Sequence, residues 1–311
     1  MLWAISIWWG LMPSSYDVKA QTQTVADASQ HKIVPGYTTT TTLINISTWL
    51  VDKPGGFLSN DMTPPGVFMD NMPAFEYGVL EQVRDLALVM RLDFSRSQSQ
   101  STGDKDLETA QTKLNIAHKN WMLPSAESEY KSAIAALKRY RDRLVREDET
   151  EAQFYTRADN LSDWLREVEK RLGSISHRLS ASVGHERYNT ELAGDATAKQ
   201  STETADEVEV KTGWFELDDI FYESRGATWA ILHLLKAVEV DFQDVLEKKN
   251  AQVSLKQIIR DLEATQQTVW SPVVLNGSGF GFLANHSLVM ANYVSRANAA
   301  LIDLRRLLEQ G

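Results

Sequence analysis

The sequence contains no cysteine among its 311 residues. Disulfide bonds, thiolate chemistry and cysteine-ligated metal sites are therefore excluded. Histidine is scarce as well, and the six histidines are scattered along the chain. None of them lies in an H-E-x-x-H motif or three residues after a glutamate, so the ligand spacing of zincins and di-iron bundles is missing. We predict no metal site.

Basic residues are in the minority. The chain has 32 Lys and Arg against 42 Asp and Glu, which gives a formal net charge of −10. Nonspecific nucleic-acid binding needs a cationic surface to meet the phosphates, so we predict no nucleic-acid partner. The hydrophobic fraction of 43% is ordinary for a folded soluble body, and the length suffices for a substantial core.

Phosphate-binding and nucleophile motifs are also missing. The glycines of "NGSGFGF" (276–282) do not match G-x-G-x-x-G, and Ser278 does not lie in G-x-S-x-G. We therefore predict no catalytic residue and no cofactor. We interpret the segment as a tight turn between helices, anchored on the body by Phe280 and Phe282. The alternative is an anion cradle built from its amides and Ser278.

No apolar run reaches the length of a membrane span, which needs about 20 residues. Only "MLWAISIWWGLM" (1–12) approaches one. It lacks the basic start and the small-residue cleavage site of a signal peptide. Its Trp8-Trp9 pair is typical of a membrane interface. We interpret it as the C-terminal part of a transmembrane helix that starts upstream, and a buried amphipathic helix is the alternative.

The remainder is predicted to be all-α, a bundle-like body of six to eight helices with long antiparallel helices. Apolar residues recur every three or four positions. Two stretches carry heptad seams with steps of 4, 3, 4, 3 and 4, which favour packing along another helix at a shallow angle. The seams are Leu161, Leu165, Val168, Leu172, Ile175 and Leu179, and then Met290, Val294, Ala297, Leu301, Leu304 and Leu308.

The periodicity sets the expected helix boundaries. We predict helices at 40–52, 76–94, 126–146, 154–182, 216–248, 254–269 and 284–309, a short polar helix within 17–30, and no sheet of more than two strands. The helix 216–248 is apolar around most of its circumference and should be central. The segment 125–146 should form an antiparallel hairpin with 153–183.

Two stretches interrupt the helical pattern. Residues 53–73 carry four prolines and three glycines and are predicted to form a long ordered loop. Four of its side chains would need burial: Phe57, Val67, Phe68 and Met69. Residues 185–212 have almost no large apolar side chains and are predicted to be a flexible linker or a surface excursion. They divide an N-terminal helical region (13–184) from a C-terminal one (213–311) that packs against it.

Ionisable candidates for a functional site lie near the second of these stretches. The segment "WFELDDIFYE" (214–223) groups Asp218, Asp219 and Glu223 among aromatics. A paired-carboxylate hydrolase would need two such groups to converge, whereas the helix dipole also accounts for acidic residues at a helix start. His233 follows in the apolar helix. It is either a proton shuttle for these carboxylates or, in our preferred interpretation, a hydrogen-bonded core histidine.

Four longer strings carry a resemblance to a known family. "DKPGGFLSND" (52–61), "DFSRSQSQS" (93–101), "RLSASVG" (178–184) and "LEATQQTVWSP" (262–272) resemble the bacterial family known as domain of unknown function 2333. The resemblance runs from about Val34 to the C terminus. It implies an inner-membrane protein with one N-terminal span and a large body beyond it. It brings no established catalytic residue.

We therefore expect a membrane-anchored protein of the bacterial cell envelope. It would pass the inner membrane once, with its main body in the periplasm, because few basic residues follow the N-terminal segment. Its partners would be the lipid bilayer, through that segment, and an envelope protein or a second copy of the chain. The leading hypothesis is a non-enzymatic scaffold or interaction module. The alternative is an envelope enzyme or ligand-sensing domain with a pocket near residues 214–223 and 276–282.

Overall fold

The computed structural model describes residues 2–97, 103–146, 152–188, 207–271 and 273–310. Within these residues the protein is all-α apart from one antiparallel pair of short strands. The helices are α1 (Leu2–Trp9), α2 (Val18–Ser29), α3 (Tyr37–Asp52), α4 (Asn71–Val89), α5 (Lys105–Leu114), α6 (Ala126–Leu144), α7 (Ala158–Ser180), α8 (Leu217–Asp241), α9 (Gln243–Lys248), α10 (Gln252–Thr265) and α11 (His286–Glu309). The strands are β1 (His185–Tyr188) and β2 (Glu207–Val210).

The all-α prediction is confirmed, but the predicted number of helices is too low. The structure has eleven α-helices in the described residues. The segment 216–248 is divided at Phe242, whose backbone leaves the helical region. α5 was not predicted. It begins after Asp104, whose carboxylate caps the helix by accepting hydrogen bonds from the amides of Asp106 and Leu107. The short polar helix predicted within 17–30 and the helix predicted at 40–52 are present as α2 and α3.

α4 and α8 cross in direct backbone contact. A Cβ atom at Gly78 would lie 2.0 Å from the carbonyl oxygen of Glu223, and one at Gly226 would lie 2.0 Å from that of Phe75. Only glycine therefore permits this approach. The helices run in the same direction, since Phe75 lies beside Gly226 and Phe94, just after α4, packs on Phe242 at 5.3 Å between ring centroids. α8 is buried along most of its length, as predicted for a central helix.

The two heptad seams face each other. All six seam residues of α7 and all six of α11 are buried, and the helices run antiparallel. Ser162 contacts Glu309 at one end, and Ser176 donates to the carbonyl oxygen of Ala291 near the other. The predicted hairpin of 125–146 with 153–183 is wrong. α6 packs on α5 and α3 instead, because a heptad period specifies that a helix has a partner without specifying which helix it is.

A buried ion pair holds the loop that precedes α4. The ammonium of Lys53 lies 2.6 Å from the carboxylate of Glu76, and both side chains are almost wholly buried. The same carboxylate accepts hydrogen bonds from the amides of Leu58 and Ser59, at 2.9 and 2.8 Å. Burial raises the pKa of Glu76, and Lys53 opposes that rise. This network explains how a proline- and glycine-rich segment is ordered without regular helix.

The burial predicted for that loop holds only in part. Phe57 is buried and Met69 packs against the core, but Val67 and Phe68 are exposed. The prediction for Val67 and Phe68 is therefore wrong. A short 3₁₀ turn, Gly66–Phe68, carries both side chains on the outside of the body.

The segment 185–212 starts and returns at one place. The amide of Thr212 donates to the carbonyl oxygen of Ala181 at 3.0 Å, and β1 pairs with β2 next to this contact. The predicted linker or excursion falls largely on residues 189–206, which lie outside the described residues. The helices on either side of it, α7 and α8, contact each other.

α1 is the only helical part of the N-terminal segment predicted to end a membrane span. It covers eight residues. Nowhere in the described ranges does a helix combine the length and the apolar character that a membrane crossing requires. The described residues therefore contain no spanning helix in support of the predicted anchor.

The close crossing of α4 and α8 predicts opposite effects of the same substitution at different glycines. Gly78→Ala or Gly226→Ala should lower the free energy of unfolding by about 2 kcal/mol or more, because the added methyl group meets a backbone carbonyl. Gly173→Ala in α7 should raise it by about 0.5–1 kcal/mol, since alanine is the better helix former and its Cβ would have 3.7 Å of clearance.

Urea unfolding of the three variants, followed by circular dichroism, measures these differences. Equal effects of Gly78→Ala and Gly173→Ala would show that α4 and α8 do not touch through their backbones.

Candidate functional site

The connections at one end of the body come together. α4, α8 and α11 begin there, and α7 and α10 end there: Arg178 pairs with Glu223, His286 lies against Phe221, and Thr265 bonds to Thr228. The side-chain amide of Asn60 donates to the carbonyl oxygen of Asn120 at 3.1 Å, which ties the loop before α6 to the same place. We call residues 53–70, 115–125, 211–216, 266–271 and 273–285 the loop end.

Exposed apolar side chains concentrate at the loop end. In the described part of the chain, 23 large apolar residues are exposed, of which 13 lie in the loop end and five more in residues 1–12. The most exposed are Phe68, Leu123, Phe215, Trp270, Phe280 and Phe282. Exposed apolar patches on folded proteins are typical of interaction surfaces.

Phe280 and Phe282 do not anchor the glycine turn, so that prediction is wrong. Both rings are fully exposed to solvent, at 105% and 109% of the reference area. The turn is held by its ends instead: the amide of Gly277 donates to the carbonyl oxygen of Ala284, and the side-chain amide of Asn285 donates to the carbonyl oxygen of Gly277. Gly279 has a φ of +78°, which explains the glycine at this position. The turn therefore presents its two aromatic rings outward.

α1 joins the body at the loop end. Trp9 packs against Gly55, where a Cβ would lie 2.6 Å from the indole, and Gly10 lies beside the side chain of Met69. None of the eight residues of α1 is buried, although all are apolar except Ser6. The alternative of a buried amphipathic helix is therefore wrong. α1 adds apolar surface to the end that already carries the exposed loops.

An acidic cleft lies between these loops, in the region where the sequence predicts a pocket. It has a volume of about 390 Å³ and takes in Asp70, Trp214, Asp218, Asn276 and Leu283. Among the ionisable candidates from the sequence, Asp218 lines it. The carboxylates of Asp70 and Asp218 disfavour a further negative charge in the cleft, so the cleft suits a cation or a proton rather than an anion.

Asp219 and Glu223 are in different situations from Asp218. Burial raises the pKa of Asp219, and the neighbouring carboxylates of Asp70 and Asp218 raise it further, so it keeps its proton to higher pH than a free aspartate. Glu223 is bound by the guanidinium of Arg178 and is not available as a free base. Within the described ranges no three His, Asp or Glu side chains come close enough to hold a metal ion.

His233 lies further along α8, inside the core. Its ring stacks on Tyr16 at 4.2 Å, and its Nε2 accepts a hydrogen bond from the amide of Tyr16 at 3.1 Å. Nδ1 lies 2.7 Å from the carbonyl oxygen of Trp229, so Nδ1 carries the proton and donates. Both nitrogens are occupied, and burial lowers the pKa of His233 to about 4. The structure joins His233 to the N-terminal segment.

Ser278 is exposed in the glycine turn, apart from the cleft. Its hydroxyl occupies the space where Gly281 would place a Cβ, at 2.4 Å, so it packs within the turn. The structure thus brings Asp218 and Asp219 to one place and leaves His233 and Ser278 elsewhere.

A second cavity adjoins the acidic cleft and was not predicted from the sequence. Its volume is also about 390 Å³, and its lining includes Phe221, Arg225, Trp270, His286 and Met290. The available signal was Arg225 itself. It is the only Lys or Arg between Leu217 and Leu235, in a helix that is buried along most of its length.

Comparison with known proteins identifies a family without a described activity. The family model "Uncharacterized protein conserved in bacteria (DUF2333)" matches residues 1–311, and the chain belongs to this family. No curated protein and no solved structure matches the chain. The resemblance noted in the sequence is therefore confirmed over the whole chain.

The geometry around His233 predicts that its ring remains neutral in mildly acidic solution. The unfolded chain binds a proton on this ring below about pH 6.5, whereas the folded protein binds it only near pH 4. His233 should therefore reduce stability as the pH falls from 6.5 to 4. Ring ¹⁵N shifts should show one Nδ1–H tautomer from pH 7 to 5. Protonation with a midpoint near 6.5 would show that the ring is open to water.

Proposed function

We propose that the protein is a non-enzymatic interaction module of the bacterial cell envelope that docks on the membrane through its loop end. The carrying observation is the segregation of exposed apolar side chains to this end. Apart from residues 1–12 and the loop end, only five large apolar residues are exposed in the described ranges. The rest of the body has the surface of an ordinary soluble protein.

The chemistry of the loop end suits a lipid bilayer. Trp121, Trp214 and Trp270 are all exposed there, and indole rings favour the interface between headgroups and acyl chains. Burial of one large apolar side chain contributes about 1.5–3 kcal/mol, so a few inserted residues suffice for stable association. The tips are separate loops, which can insert side chains while their backbone stays at the level of the headgroups.

Electrostatics supports insertion rather than attraction to anionic lipid. Asp61, Asp70, Glu216 and Asp218 lie in or beside the loop end, and the chain carries a net charge of −10. Docking would therefore not depend on a basic surface that attracts anionic lipids such as phosphatidylglycerol. Binding should therefore depend little on salt and should occur on zwitterionic vesicles.

The anchor and the orientation complete this proposal. α1 is apolar, unburied and attached at the loop end, so an N-terminal membrane segment would enter the same bilayer on which the loops dock. We propose a single pass of the inner membrane with the body in the periplasm, in line with the few basic residues after residue 12. The sides of the bundle then remain free for an envelope partner or a second copy.

An envelope enzyme or ligand-sensing domain is the second candidate. One observation favours it: a cleft lies at residues 214–222, with Asp218 in its wall and Asp219, whose pKa is raised chiefly by burial, beside it. Two experiments separate the interaction module from the enzyme or ligand sensor: capture of partners from solubilised membranes, and a thermal-shift screen of soluble ligands. A saturable ligand that is lost on Asp218→Asn would favour the second candidate.

Docking of the loop end can be read at single residues because the chain has no cysteine. Phe280→Cys, labelled with the fluorophore NBD, should brighten and shift to shorter wavelength with zwitterionic vesicles, since this side chain would enter the bilayer. The matched control is Val253→Cys, which is 77% exposed at the start of α10, at the opposite end of the body. An unchanged signal at 280, or equal changes at both sites, would contradict docking.

The proposed orientation is tested in intact cells with the same control position. Cysteine at position 253 should react with a small maleimide that does not cross the inner membrane, because the body would lie in the periplasm. Modification that needs cell lysis would place the body in the cytoplasm.

A further inference from the structure

The cavity around Arg225, which we call the Arg225 pocket, has the chemistry of a site for an amphipathic anion. Its walls are largely apolar, with Phe221, Val269, Leu275 and Met290 among them. None of its lining residues is acidic, although the chain as a whole has ten more acidic than basic residues. Its volume of about 390 Å³ lies in the range of small-molecule sites, about 300–1,000 Å³.

Arg225 brings a positive charge into these apolar walls. Its Nη2 donates to the carbonyl oxygen of Gln266 at 2.9 Å, and the other guanidinium donors have no hydrogen bond to the residues that the structure describes. No carboxylate of those residues pairs with it, and burial lowers the pKa of Arg225. By contrast, Arg171 and Arg178 each meet a carboxylate at hydrogen-bond distance. A desolvated charge without a counter-ion is costly, and an anionic ligand would remove that cost.

His286 supplies a second donor to the same pocket. The amide of Leu275 donates to its Nδ1 at 3.0 Å, so the neutral ring carries its proton on Nε2. Nε2 has no hydrogen-bond partner among the described residues, and burial lowers the pKa of His286, which favours the neutral ring. The pocket therefore contains a guanidinium fork and a neutral N–H donor.

We propose that the Arg225 pocket binds the carboxylate of a single acyl chain. The carboxylate would pair with the guanidinium of Arg225, whose planar fork matches a carboxylate, and would accept a further bond from Nε2 of His286. The chain would lie along Phe221 and Met290 and leave beside Trp270, which is 93% exposed. The pocket opens at the loop end, since Trp270 and Leu275 line it. A soluble fatty acid tests it without a membrane, so its failure and the failure of bilayer docking are distinguishable.

The probe is dodecanoate below its micellar concentration, measured by isothermal titration calorimetry on the full chain. Dodecanoate should bind at one site per chain. Acetate, which has the head without the chain, and dodecyltrimethylammonium, which has the chain with the opposite charge, should not bind there. Equal binding of the ammonium compound would overturn the proposal, since it would reflect adsorption on exposed apolar surface. Tighter binding of dodecyl phosphate would overturn the assignment of a carboxylate.

Two variants assign the binding to the pocket. Arg225→Gln should weaken dodecanoate at least about tenfold, because a charge-assisted pair is replaced by a neutral amide. Val289→Trp fills the cavity from a side chain that is 57% exposed, so it should block binding without disturbing the core. It decides the question if Arg225→Gln does not fold. Unchanged affinity in Val289→Trp would overturn the proposal.

Two controls separate this site from the rest of the protein. Arg306→Gln makes the same charge change at an exposed position near the end of α11 and should leave the affinity unchanged. Phe280→Ser should reduce bilayer docking and leave dodecanoate binding intact. Loss of dodecanoate binding in Phe280→Ser would show that the fatty acid adsorbs at the loop end and would overturn the pocket assignment.

Discussion

The close crossing of α4 and α8 at Gly78 and Gly226 is the constraint on which the arrangement of the molecule depends. Because these two residues have no side chain, the backbone of each helix occupies the space that a Cβ atom on the other helix would fill. Because the two helices run in the same direction, the connections that lead into both of them lie at one end. Trp49, Phe75 and Trp229 fill the space beside the crossing, with ring centroids 5.4–6.2 Å apart. The rigid crossing therefore places the loops that form the candidate site.

Around this crossing, polar groups are used to order segments that have little regular structure. Glu76, on α4, binds Lys53 and the amides of the loop before it. Asp241, on α8, accepts a hydrogen bond from the amide of Thr39 at the start of α3, and its pKa is raised to about 6, chiefly by burial. His233 holds the N-terminal segment through the amide of Tyr16. Each buried polar group thus fixes a neighbouring segment, as unpaired burial would be costly.

The loop end joins two opposite chemistries within a short distance. Leu275 lines both the acidic cleft and the Arg225 pocket. On one side Asp218 and its neighbours favour a proton or a cation, and on the other Arg225 and His286 offer donors to an anion. Exposed aromatic rings surround both. A fatty acid in the Arg225 pocket would lie next to the surface that we propose to dock on the bilayer, so lipid could reach the pocket from the membrane.

The sequence alone predicted which faces are buried and where most long helices lie. Helical periodicity is local, so the seams of α7 and α11 could be read from the spacing of their apolar residues, and both seams are buried. The family could be read from continuous strings. Periodicity does not specify which helix a seam packs against, however. The predicted hairpin paired α7 with α6, whereas in the structure α7 packs on α11.

The candidate site was decided by the tertiary structure. Phe280 and Phe282 are as apolar as any core residue, and only their position on a protruding turn leaves them exposed. Arg225 is a basic residue in a largely apolar helix. It becomes part of a pocket only because residues about 40 and 60 positions later in the chain pack around it. Gly78 and Gly226 are 148 positions apart. Contacts of this range depend on how helices pack against one another, which the pattern within each helix does not determine.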